Sequence, residues 1–250
     1  MATVAARFRE WLLMVETLAA LLLAHAMADF VLQPAGMTGA KHRPMVLLSH
    51  GAVVLASAIA ATGSLHPALL ALAALHMATD YAKARFGRGF TGFVADQAVH
   101  LATLVAIAAT APALWATGLW VDLPQLAALF ALAAGAIVAI RAGGFAIGQL
   151  MQPWAAAIAL DGLPGGGRAI GHLERGLIFL MVLGGMAEGI GFLIAAKSVL
   201  RFGTVREEAK LSEYVIIGTL ASFAWALGAA FGTLALLSHL PPLGIPDFTP

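Results

Sequence analysis

Cysteine is absent from this chain, which removes disulfides and thiolate metal sites and leaves histidine and carboxylate as the available metal ligands. Charge is also scarce. Only 11% of the 250 residues are charged and 61% are hydrophobic, whereas roughly a quarter of the residues in soluble globular domains are charged. The two signs nearly cancel, 14 Lys and Arg against 13 Asp and Glu, so net charge gives no footing for a nucleic-acid or acidic partner. What remains is the composition of an integral membrane protein, all-α, built as a polytopic bundle of about 7–8 transmembrane helices.

Apolar runs near the 20 residues a bilayer requires fall at 11–32, 44–63, 67–85, 92–118, 124–141, 176–197 and 213–238. Arg7 and Arg9 before the first run give it some likeness to a secretory leader. The run continues through Asp29 to Leu32, however, so it is read as a first membrane helix. Residues 142–160 are apolar but interrupted by Gln149, Gln152 and Pro153, and either span, re-enter or lie at the interface. Lys and Arg arbitrate: eight spans with the N-terminus outside put Lys41, Arg43, Lys83, Arg85, Arg88, Arg141, Lys197, Arg201, Arg206 and Lys210 inside, against Arg7, Arg9, Arg168 and Arg175 outside. That topology, in a bacterial inner membrane, is the expectation.

The chain divides by character. Residues 1–120 form a four-helix unit holding most of the intramembrane His and Asp, and 121–240 form a packing scaffold. The scaffold carries the small-residue pairs Gly144 with Gly148, Gly185 with Gly189, and Gly228 with Gly232. Within it, Glu188 is a mid-helix carboxylate needing a partner, while Glu174, Arg175, Lys197 and Arg201 read as helix-end anchors. Gly162–Gly167 reads as a hinge or loop, and 241–250 as a Pro-rich tail.

The informative stretch is Ala73 to Leu101. His76 and Asp80 are four apart, as are Asp96 and His100 and, earlier, His25 and Asp29, so each pair shares a helix face. At about 1.5 Å per residue, His25 and Asp29 lie roughly 10 and 5 Å from the end of their helix, and His76 and Asp80 roughly 13 and 7 Å from the end of theirs. Asp96 and His100 lie roughly 7 and 13 Å from the start of the next helix, in reversed order, as an antiparallel neighbour requires. Three Asp thus form an outer layer and three His a deeper one, with His50 roughly 9 Å into its own helix from the same side. Three clustered carboxylates in lipid repel unless protonated, paired or bound to a cation.

One or two divalent ions, zinc, manganese or iron, held by His25, Asp29, His76, Asp80, Asp96 and His100 answer that repulsion. His50 is then a candidate general base, Gln97 a hydrogen-bond donor to the reacting group, and Lys41 and Lys83 candidates for binding a phosphate or head group. Lys41, Arg43, Arg85 and Arg88 also read as positive-inside anchors.

The segments His25-Ala-Met-Ala-Asp29-Phe-Val-Leu-Gln33, Lys41, His50, His76-x3-Asp80-x2-Lys83 and Asp96-Gln97-x2-His100 resemble an uncharacterised family of bacterial inner-membrane proteins, a domain of unknown function. A second block, Gly167-Arg168-x2-Gly171-x-Leu173-Glu174-Arg175 with Ala196-Lys197-Ser198-x2-Arg201-Phe202, is similar to the region C-terminal to that domain in longer members. The resemblance implies that these residues act as a set and names no activity. A weaker analogy exists to membrane-bound metal-dependent hydrolases, whose Asp-x-Asp element this chain lacks. The His-x-x-His-His pairs of membrane desaturases are absent too.

The expected function is an intramembrane metal-dependent hydrolase or transferase acting on a lipid or lipid-linked substrate near the cytoplasmic face. The alternatives are a divalent-cation or proton transporter built on the same cluster, and a non-catalytic membrane scaffold. The deep side of the site helices is nearly all Ala, Leu and Val, a blind pocket, which favours the enzyme. Membrane lipids are the expected partners, nucleic acid is not one, and an oligomer is compatible with the sequence.

Overall fold

A computed structural model describes residues 2–87, 89–156, 158, 163–201 and 209–243. Arg88, Gly162, Phe202, Arg206 and the tail beyond Leu243 lie outside the described residues, as does part of the ambiguous 142–160 stretch. The described regular structure is helical: α1 Ala2–Phe30, a single turn α2 Ala35–Thr38, α3 Pro44–Thr62, α4 Ala68–Phe86, α5 Gly89–Thr110, a 3-10 turn Pro112–Leu114 and α6 Leu126–Ile137. A π-helical segment Val138–Ala142 follows, then α7 Gly143–Ala155, α8 Gly166–Leu183, α9 Glu188–Arg201 and α10 Ala209–Leu237. Among the described residues, five stretches are long and apolar enough to cross a membrane: Val4–Phe30, Pro44–Thr62, Gly89–Thr110, Leu126–Ala155 and Lys210–Leu237.

That is fewer than the seven or eight runs expected, for identifiable reasons. Residues 124–141 and 142–155 are one helical run, because the backbone passes through Arg141 as a π turn instead of breaking. The run at 176–197 is two helices, parted at Gly184–Ala187 with Gly185 at φ +69°, a conformation that glycine adopts without strain. The helix begun at 92–118 stops at Thr110, before Pro112. α4 forms as a 19-residue helix, but Asp80, Lys83 and Arg85 crowd its last two turns.

The chain falls into two compact units, Met1–Ile137 with Ala235–Ile245, and Val138–Leu234 with Pro246–Pro250. α6 packs along α1 and falls in the first unit.

In the first unit α1 is the centre, in contact with α3, α5 and α6. Ala19, Ala20, Ala24 and Ala28 are all buried along it, and their small side chains let neighbouring backbones come close. Val15, Leu21, Ala58, Ala61, Leu69, Leu72, Leu104, Ile107, Ala108, Leu114, Trp115, Ala127 and Ala131 belong to the apolar core around it. Thr17, a buried hydroxyl of α1 inside that core, has its hydrogen bonds accounted for: Oγ1 donates to the Pro112 carbonyl (2.8 Å) and accepts from the Trp115 amide (3.2 Å). α3 begins with Pro44 in its first turn and ends at Gly63, φ +63°, whose amide closes on the Ile59 carbonyl.

In the second unit the π segment frees carbonyls from the regular ladder, and side chains take them up. The Ile140 carbonyl accepts from Arg175 Nε (3.3 Å) and Nη2 (3.0 Å), and the Val138 carbonyl accepts from Trp225 Nε1 (2.9 Å). Arg175 Nη1 donates to Ser222 Oγ (3.0 Å). Arg175 and Glu174 are buried, Glu174 pairing with Lys197 at 2.7 Å, so these residues join helices and are not surface anchors. Glu188 is the exposed first residue of α9, a favourable place for a carboxylate, and not a mid-helix group. Gly228 and Gly232 have no atom near the position a Cβ would take, so close approach does not explain that pair.

Candidate functional site

The site belongs to the first unit and is assembled from four helices. α1 contributes His25 and Asp29, α3 His50, α4 His76, Asp80 and Lys83, and α5 Asp96, Gln97 and His100. Lys41 comes from the turn before α3. α3 contacts α1 and α4, and α4 contacts α5, so the three His-Asp faces and His50 point into one volume. A Cβ on Gly51 would collide with the Met77 thioether. Glycine there leaves room for the Met77 side chain beside His50, whose Nε2 lies 3.2 Å from His76 Nε2.

At the centre sit four ligand-type side chains. His50 Nε2 is 3.1 Å from Asp29 Oδ1 and 3.4 Å from Asp80 Oδ2, and His76 Nε2 is 3.2 Å from Asp29 Oδ1 and 3.4 Å from Asp80 Oδ2. With the 3.2 Å between the two imidazole nitrogens, five of the distances among these four atoms measure 3.1–3.4 Å. A tetrahedral ion with bonds of about 2.0–2.1 Å has ligand-to-ligand edges of about 3.3 Å. Two nitrogens and two carboxylate oxygens at this spacing are the donor set zinc and similar first-row ions accept.

Beside them His100 Nε2 lies 3.4 Å from Asp96 Oδ1 and 3.9 Å from Asp80 Oδ1, and its ring stacks on His76 with centroids 4.0 Å apart. His25 Nδ1 is 3.9 Å from Asp29 Oδ2, and His25 Nε2 is 3.2 Å from Gln97 Oε1. Three sets each offer ligand atoms within 4.8 Å of one another: His25, His76 and His100; Asp29, His50 and His76; Asp80, Asp96 and His100.

Each of two carboxylates has one oxygen pinned by a lysine. Lys41 Nζ donates to Asp80 Oδ1 at 2.7 Å, and Lys83 Nζ donates to Asp96 Oδ2 at 2.6 Å, where Gln97 Nε2 also donates at 3.0 Å. Among the described residues Asp29 has no lysine. Its partners are imidazoles, and the three carboxylates against two ammonium groups leave the cluster one negative charge in excess when the histidines are neutral. Burial makes that excess costly. His50, His76, Asp80 and His100 are each no more than 2% exposed, while the Lys83 side chain is 33% exposed and marks the open edge. Among the described residues, five buried atoms have no hydrogen-bond partner: His25 Nδ1, His50 Nδ1, Asp80 Oδ2, Asp96 Oδ1 and His100 Nε2.

All ten residues singled out in the sequence for this site are therefore in one place, but not all in the arrangement expected. His50 is among the ligand-type atoms at the centre and not beside them. Lys41 and Lys83 are engaged by carboxylates. Gln33 was not singled out for a role. With its amide oxygen turned to Lys41 it accepts from Nζ at 3.1 Å, and its nitrogen donates to the Asp29 carbonyl at 3.2 Å. Its place in the segment from His25 to Gln33 that carries the family resemblance, four residues after Asp29, is its signal in the sequence.

Residues 17–122 match the family described as a protein of unknown function (DUF3307). The match runs from Thr17 in α1 to Asp122, past the 3-10 turn, and contains every residue of the site. The block from Gly167 to Phe202 lies outside it. No curated protein and no solved structure matches the chain.

Proposed function

We propose that this chain is an intramembrane metal-dependent enzyme of the bacterial inner membrane, a hydrolase or transferase acting on a lipid or lipid-linked substrate. The observation that carries the reading is the close set of buried donors Asp29 Oδ1, His50 Nε2, His76 Nε2 and Asp80 Oδ2, with five of their mutual distances at 3.1–3.4 Å. A divalent ion there cancels the excess negative charge and leaves the site positive, which suits an anionic head group or phosphate. A divalent ion in this cluster that keeps an open coordination position would lower the pKa of a bound water and polarise the scissile ester. In this reading His50 is a ligand and not the base. The base is His25, whose buried Nδ1 is without a partner, and Gln97 beside it holds the reacting group by hydrogen bonding.

Lys41 and Lys83 act indirectly, each fixing one carboxylate oxygen so that the other is presented inward. The substrate reaches the site past Lys83, where Tyr81, Phe86 and Val94 expose large apolar side chains on α4 and α5. On the other side of the cluster, α1, α3, α4 and α5 close over a dry apolar core from Val15 to Ile107. That packing favours an enzyme over a transporter, which needs a polar route in both directions.

The test is elemental analysis of the purified full chain beside His76→Ala and Asp80→Ala. Tightly held zinc, manganese or iron in the wild type and its loss in both variants is the expected result. A folded wild type that holds no metal after supplementation refutes the reading. Saturable zinc, manganese or proton flux in proteoliposomes would replace the enzyme with a transporter.

A further inference from the structure

We infer that the site holds two ions, with the Asp80 carboxylate bridging them. This rests on the metal reading above and adds a second centre formed by Asp80 Oδ1, Asp96 Oδ1 and His100 Nε2.

The first set of ligands does not account for α5. His100 Nε2 and Asp96 Oδ1 face each other at 3.4 Å, both buried, and neither has a hydrogen-bond partner. A buried imidazole nitrogen and a buried carboxylate oxygen left facing each other unbonded lose the solvation they had in water and gain nothing in exchange. A cation between them restores both. Asp80 Oδ1 is the third donor, 3.9 Å from His100 Nε2. It already accepts from Lys41, but a carboxylate oxygen has two lone-pair directions, so it can ligate an ion while keeping that bond. Asp80 Oδ2 meanwhile faces His50 and His76. One carboxylate thus addresses both sets with different oxygens, the arrangement that holds paired ions about 3.5–4 Å apart.

The two centres are unequal. The first has four protein ligands and is closed, in the manner of a structural ion. The second has three, and three protein ligands with a further position left for water or substrate is the pattern of a catalytic ion. The second ion therefore binds the water or the substrate oxygen. Lys83 and Gln97 hold Asp96 Oδ2 and so aim Oδ1 at it.

The experiment is metal stoichiometry on the detergent-purified full chain loaded with Mn²⁺ and desalted, with electron paramagnetic resonance of the same samples. Two Mn²⁺ per chain with the broadened multiline spectrum of an exchange-coupled pair are expected for the wild type. His100→Ala and Asp96→Asn are each expected to hold one ion and give the six-line spectrum of an isolated Mn²⁺. One ion and a six-line spectrum in the wild type overturn the second centre and leave the first intact. No bound ion overturns both. The wild-type spectrum decides the matter even if a variant fails to fold.

Discussion

Lys41→Met separates the protein's own electrostatics from those of a metal. Lys41 Nζ lies 2.7 Å from Asp80 Oδ1, with the two side chains 9% and 1% exposed, so the pair is withdrawn from water. Methionine keeps most of the aliphatic stem and removes the charge, leaving Asp80 as an uncompensated buried carboxylate. Removing one partner of such a pair costs about 3–5 kcal/mol. For a chain of this size 1 kcal/mol shifts Tm by about 2–4 °C, so metal-free protein should lose about 6–20 °C. With Zn²⁺ or Mn²⁺ added, the cation takes over the neutralisation of Asp80, so metal should raise the Tm of Lys41→Met by more than it raises that of the wild type. The assay is thermal unfolding in detergent, each protein with chelator and with metal. A loss under about 2 °C in chelator would mean the pair is not buried and ionised. An equal metal-induced rise in both proteins would mean that the ion does not meet Asp80.

Gly51→Leu should push α3 from α4 and abolish metal retention, and adding Met77→Ala should restore part of it, as read by elemental analysis; overpacking of this kind costs about 1–3 kcal/mol in stability. Thr17→Val strands the Pro112 carbonyl and the Trp115 amide inside the core, and should cost about 1–3 kcal/mol per stranded group with metal content unchanged. Arg175→Leu removes the donors to Ile140 and Ser222, and should lower Tm while leaving metal stoichiometry as in the wild type. Because imidazole and carboxylate ligate only when deprotonated, metal affinity should rise with pH and protons should be released on binding, measurable as a buffer-dependent heat in calorimetry; a pH-independent affinity would exclude histidine ligands.

The polar cluster was legible in the sequence because it obeys helical arithmetic. The spacing of His25 to Asp29 and of His76 to Asp80, and the reversed Asp96 to His100, are local patterns that a helix turns directly into faces. What spacing cannot supply is which atoms meet. His50 becomes a neighbour of His76 through the packing of α3 on α4, and Lys41 reaches Asp80 from a turn 39 residues away. The number of helices was less legible. Apolar composition continues through Gly184 to Ala187, where the backbone turns, and is interrupted by Arg141 between Val138 and Ala142, where the backbone does not break. Hydropathy records what a segment can dissolve in and not whether its hydrogen-bond ladder is regular. Glu174 and Arg175 looked like surface residues for the same reason: their partners Lys197, Ile140 and Ser222 come from elements distant in the chain.

The lysine at the open edge has an influence that reaches further in than its own carboxylate. Lys83 and the Gln97 amide nitrogen both donate to Asp96 Oδ2, which fixes the orientation of that amide and turns its oxygen toward His25. An amide oxygen can only accept, so His25 must place its proton on Nε2, and Nδ1 is left bare. The tautomer of an imidazole only 10% exposed is thus written by a lysine whose side chain is 33% exposed. Acylating Lys83 would remove one of the two donors that hold Asp96 Oδ2, and with it part of that instruction.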